Sequence, residues 1–267
     1  MKISGKISIT ILILVSLLSI FAPFISGYNP DRIDLDSLKE TPSFKHLFGT
    51  DSKGRDMLSR ILYGGRISIG IAITAALLSM SIGLIIGLCS GYFGGKVDVA
   101  IMAFVDLILS FPALLLAIGI SIILPPGIYT VMIAIAAVGW ASVARLIRGY
   151  ILTLREALFI DAARALGCSN TRILFVHLMP QCLPLLLVIM GLKLGGYILT
   201  EASLSFLGLG AQPPTATWGS MISTNRAYIS SAPWMVLFPG LMIAIVALCS
   251  NILGDALRNR YGLKIKG

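Results

Sequence analysis

Six stretches of about twenty residues each are nearly free of charge, and a chain built this way has few folds open to it. They run Ile7–Ile25, Ile67–Gly91, Val99–Leu124, Ile128–Leu146, Leu183–Thr200 and Met235–Leu253. Each is long enough for a helix to cross the hydrocarbon layer. The expected fold is an all-α membrane protein, one bundle of six transmembrane helices. Only 12% of the residues are charged, against roughly 25% in soluble domains, so no separate soluble domain fits. The expected division is a first helix (1–27), an outer loop with a short surface helix (28–66), a five-helix core (67–258) and a tail (259–267). The core holds an inner loop (147–180) and an outer re-entrant segment (205–233).

The net charge of +9 follows membrane sorting and points to no nucleic-acid partner. With the N-terminus inside, the inner side holds Lys2, Lys6, Lys96, the cluster Arg145, Arg148, Arg155, Arg164 and Arg172, and then Arg258, Arg260, Lys264 and Lys266. The outer loop Tyr28–Arg66 departs from the rule with seven basic residues, balanced by six acidic ones. N-terminus and C-terminus are both expected in the cytoplasm. Ile7–Ile25 is too long for a signal-peptide core and no A-x-A site follows it, so it reads as an uncleaved span. Cys89, Cys168, Cys182 and Cys249 have no metal-ligand spacing and read as small apolar fillers.

Within the spans, Ala75, Ser79, Gly83, Gly87 and Gly91 recur every four residues and form one stripe of small side chains. Such a stripe lets another helix approach closely, either from a partner subunit or from this chain. Asp106 lies in the lipid zone of the third span and Pro112 predicts a kink after it. Lys193, Tyr197 and Glu201 share one face of the fifth span. Lys193 pairs with Asp106 or Glu201 on one reading, and lines a translocation path with them on the other. The segment Ser205–Pro233 mixes Gly and Pro with apolar residues and is expected to fold back into the outer mouth. Before the second span, Thr50 or Asp51 is a reasonable helix cap, and Asp51/Arg55 and Asp56/Arg60 fit i, i+4 pairs on a short surface helix.

The chain has no phosphate-binding G-x-x-x-x-G-K-[ST], no H-E-x-x-H and no G-x-S-x-G, and its two histidines, His46 and His177, fall on opposite sides. No cofactor or metal site is expected in this chain, and no enzymatic activity. Energy for transport would come from a gradient or from another subunit, and buried ionisable residues are too few for the gradient. The inner loop is where another subunit could pull. Arg155–Leu166 favours helix, Gly167 can end it, Thr171–Leu178 can start a second short helix, and Pro180 opens the fifth span. The result is an elbow joined to two spans.

At these residues the chain resembles the permease subunits of ABC importers. Their inner signature is E-A-A, three residues, G, nine residues, I-x-L-P; here Asp161-Ala162-Ala163, Gly167 and Pro180 stand at that spacing, with Asp161, His177 and Met179 as departures. Gly49-Thr50-Asp51, Gly54-Arg55-Asp56 and Ser59-Arg60 resemble the dipeptide/oligopeptide/nickel permease family, as do Glu201–Gly210 with Pro213-Pro214 and Trp218-Gly219, and Asn251–Arg258. The pattern is similar to the second, C-type permease of a pair. The ending Arg258–Gly267 departs from the family's longer one.

The resemblance implies a type I importer bundle in a bacterial or archaeal inner membrane. It implies a heterodimer with a second permease, two cytoplasmic ATPases that hold the ATP and Mg, and an external substrate-binding protein. Asp161, Ala162, Ala163, Ala165, Leu166 and Gly167 would form the segment that couples to the ATPase. Peptides are the expected cargo, a nickel chelate the alternative. A gradient-driven transporter or channel is the alternative from another class.

Overall fold

The structure is a computed structural model that describes residues 3–262, so Lys2, Lys264 and Lys266 of the charge argument lie outside it. Five helices are long and apolar enough to cross a membrane: α1 (Ile3–Ile20), α2 (Met57–Phe93), α5 (Ile128–Leu154), α7 (Asn170–Phe206) and α9 (Trp234–Tyr261). Between α2 and α5, α3 (Gly95–Ser110) and α4 (Ala113–Ile123) meet at 90° and make a broken sixth span. Two further short helices are α6 (Leu158–Ala165), beside the end of α2, and α8 (Trp218–Asn225), beside its start.

The small-residue stripe settles the architecture. Its partner is α5 of the same chain. A Cβ added to Gly83 would stand 2.6 Å from Val143 Cβ, one on Gly87 2.6 Å from the Ala144 carbonyl, and one on Gly91 2.8 Å from Ile151 Cβ. Ala75 and Ser79 continue the seam, both fully buried. The partner-subunit reading of this stripe is therefore wrong. Lipid supplies no hydrophobic drive between helices, so close contact of backbones is what holds such a pair. A second seam, unnoticed in the sequence, joins α7 to α9, where a Cβ on Gly191 would stand 2.7 Å from Gly254 Cα.

The third span shows more than a kink. Phe111, the residue before Pro112, adopts an extended conformation (φ −87°, ψ 143°), as the proline ring requires of its neighbour. Pro112 then caps α4, and the helix restarts in a new direction.

In the loop before α2 the one helical turn is Leu35–Ser37, and residues 50–56 form no surface helix. Asp51 and Arg55 do pair, at 2.7 Å, but as buried groups of a folded loop. Arg60 turns away from Asp56 and reaches Asp31 at 3.2 Å and Asp51 at 3.8 Å. Asp56, not Thr50 or Asp51, caps the helix: its Oδ2 accepts from the Ser59 amide at 2.8 Å and the Ser59 hydroxyl at 2.7 Å. Its Oδ1 lies 2.9 Å from His46 Nδ1. Short spacing alone suggested helical pairs, whereas burial of these charges required every lone pair to find a donor. The loop docks on α9, with Phe48 stacked on Phe238 at 4.2 Å between centroids and Trp234 Nε1 donating to the Thr50 carbonyl at 3.2 Å.

The segment after α7 does fold back. Trp218 opens α8 fully buried, its Nε1 donating to the Ile61 carbonyl at 3.0 Å and its amide to Ser68 Oγ at 3.2 Å. Thr217 and Ser220 cap each other's amides at 2.9 and 3.2 Å, which closes the helix start without water.

Candidate functional site

The inner elbow is α6 and the turn that follows it. The helix stops at a Schellman turn: the Gly167 amide donates to the Arg164 carbonyl at 2.9 Å and the Cys168 amide to the Ala163 carbonyl at 3.0 Å. Gly167 takes φ +76°, a left-handed conformation that costs other residues roughly 1–2 kcal/mol. Ser169 then caps the next turn through the Arg172 amide. From Asn170 the chain winds without a break through π-helical and 3-10 turns into Leu183–Phe206. The expected second short helix is thus the inner end of α7 itself, and Pro180 sits inside the rod.

Burial divides the residues expected to couple. Ile160 and Ala163 face the bundle and pack in a cluster with Ile151, Ile173, Leu174 and Leu178. Asp161, Ala162, Ala165, Leu166 and Gly167 are exposed. Ala163 therefore anchors the elbow and does not belong to its outer face. Leu158 is 87% exposed and Leu166 84%, an apolar pair flanking the exposed face of a two-turn helix. Asp161 and Arg164 pair at 3.2 Å across that face. Behind it the elbow is braced: Tyr92 donates to Asn170 Oδ1 at 2.8 Å, Arg155 to the Gly91 carbonyl at 3.3 Å, and Arg148 Nε to Asp98 at 3.0 Å. Two of these bonds tie the flanks of the elbow, Arg155 and Asn170, to the end of α2.

The three interior ionisable residues are not brought together. Asp106 pairs with Arg145, and both are half-exposed or more, so Asp106 is neither buried nor the partner of Lys193. The sequence signal for this was available: Arg145 lies inside the fourth apolar stretch, yet was grouped with the cytoplasmic cations. Glu201 is fully buried at the outer end of α7, where Oε1 accepts from Ser205 Oγ at 2.7 Å. Its Oε2 is buried and has no hydrogen-bond partner among the described residues. Lys193 is half-buried and, among the described residues, has no charged partner. It lines a cavity of about 200 Å³ roofed by the α3–α4 bend.

A family model described as "Binding-protein-dependent transport system inner membrane component" matches residues 81–263, which take in the elbow, the cavity and both glycine seams' inner halves. The chain belongs to this family. It is a permease subunit of an ABC importer. The permease is similar to a putative peptide transport system permease protein of Brucella suis biovar 1, 41% identical over 98% of this chain and 88% of the relative. It is similar to a dipeptide transport system permease protein of Alkalihalophilus pseudofirmus, 42% identical over 100% of this chain and 86% of the relative. An oligopeptide transport system permease protein of Bacillus subtilis is 38% identical over 98% and 86%. Among solved structures, an inward-facing methionine ABC transporter shares the fold with a TM-score of 0.62, at 19% identity over 76% of this chain and 97% of that one.

Proposed function

We propose that the permease carries di- and oligopeptides across a bacterial inner membrane by alternating access, driven by two ATPase subunits that grip the elbow. The exposed face of Asp161, Ala162, Ala165 and Leu166, flanked by Leu158, carries the reading: a braced helix with an uncovered apolar face suits a protein groove. The ATPases hold the ATP and Mg, a second related permease completes the path, and an external binding protein delivers the cargo. Both termini of the chain face the cytoplasm, with the elbow. Peptide cargo is supported by the relatives' names, and none of those named above carries nickel. Of the interior charges, Lys193 stands on the path, while Asp106 joins α3 to α5 and Glu201 bonds within α7.

The test is reconstitution in liposomes, with and without the ATPase subunits. Peptide uptake that needs the ATPases, ATP and the binding protein is the expected result. Uptake by the permeases alone would establish a gradient-driven transporter or channel instead.

A further inference from the structure

The cavity beside Lys193 is a built site with one sign of chemistry. It lies where the broken span turns. Phe111 and Ala113 form its roof, Ser142 of α5 one wall, and Lys193, Tyr197 and Thr200 of α7 the other. The three α7 residues follow one another at helical spacing, so they present a single face. An ammonium inside a membrane span is expensive and ordinarily pairs with a carboxylate or with the cargo. Asp106 is committed to Arg145, and Glu201, two turns further along α7, bonds Ser205 of its own helix.

The other polar groups of the wall sort the same way. The Ser142 and Thr200 hydroxyls each donate to their own helix, to the Gly139 and Gly196 carbonyls at 2.9 Å. Tyr197 Oη is buried against Gly139, beside Ser79 Oγ. Ala113 is the first residue of the 11-residue α4, so the positive end of that helix also borders the space. An unpaired cation and a helix N-terminus together favour an anion.

We propose that Lys193 recognises the C-terminal carboxylate of the peptide as it passes, which makes it a specificity-determining residue of the path; this rests on the peptide reading above. The Lys193 ammonium takes the carboxylate and the bend at Phe111–Pro112 leaves room for the last side chain. A carboxylate held this way forms a charge-assisted hydrogen bond, and replacing the cation by an amide weakens it by about tenfold or more.

The complete importer in proteoliposomes supplies the test, with import of a tripeptide and of its C-terminal amide measured for wild type, Lys193→Gln and Lys193→Arg. The tripeptide is chosen so that the binding protein holds both forms with similar affinity. Lys193→Gln is expected to lower import of the free acid by about tenfold or more while leaving the amide within about twofold, and Lys193→Arg to retain the free acid. If every amide is rejected by the binding protein, the contrast between Gln and Arg on the free acid is the readout. Equal loss of acid and amide in Lys193→Gln, or equal loss of acid in both variants, marks a structural lysine and overturns the proposal. So does import unchanged by either variant. Loss of the second permease from the purified Lys193→Gln complex would assign the lysine to a subunit contact. Failure of the wild type to import any peptide overturns the peptide reading itself, and this inference with it.

Discussion

The two short helices at opposite ends of the bundle, α6 and α8, have the same length of eight residues and opposite fates. The outer one begins with Trp218, wholly buried, and has Gly219, Met221 and Asn225 turned inward as well. Its cap is reciprocal and its indole is hydrogen-bonded. The inner one buries only Ile160 and Ala163, has no side-chain cap, and leaves two leucines bare at its ends. One helix is finished by its own chain and the other is complete only against something else. The buried anchor and the proposed coupling segment therefore sit at different ends of the permease.

The sharpest way to break this contrast is Trp218→Ala. It removes a buried ring and two-element anchoring, and is expected to cost about 3–5 kcal/mol, read as a fall in the thermal midpoint of the detergent-solubilised protein. Import should fall with it because the fold is lost. A protein of unchanged midpoint would show that α8 does not finish the bundle. Gly87→Leu comes next. The added side chain meets the Ala144 carbonyl and Ile147 at the α2–α5 seam, and about 1–3 kcal/mol is expected from overpacking.

Gly167→Val acts on the inner end. Space around the position is open, so the effect is conformational, about 1–2 kcal/mol on the Schellman turn. Less ATPase should co-purify while the seams stay intact, which cysteine cross-linking between α2 and α5 would report. Asp106→Asn is the mildest. Its ion pair with Arg145 is largely exposed to solvent or partner, and such pairs contribute about 0–1 kcal/mol. A midpoint shift beyond that range would mean that the pair is covered in the assembled importer.

The spans, the elbow and the re-entrant outer segment were legible because each leaves a one-dimensional trace: apolar run length, a glycine at a helix end, glycine and proline among apolar residues. What escaped depended on partners far apart in sequence. Charge and depth make Asp106 only one of two candidate partners for Lys193, and it takes the fold to set Arg145 against it. Asp56 stands out as the cap of α2 only once the fold brings His46 against it and turns Arg60 away to Asp31. The stripe Ala75–Gly91 told of a close neighbour and could not say whose. Ala163 belonged to the right motif and the wrong face, since a two-turn helix offers too few positions to read an orientation.

The most direct test of the account is the double substitution Leu158→Asp and Leu166→Asp. Both side chains are exposed, so the thermal midpoint of the solubilised permease should move by no more than the roughly 0.5 kcal/mol usual for surface changes. The quantity to measure is the amount of ATPase subunit retained by the purified permease pair. The account predicts that it is lost, and ATP-driven import with it. ATPase retained at wild-type stoichiometry, with import intact, would contradict the assignment of α6 as the drive point.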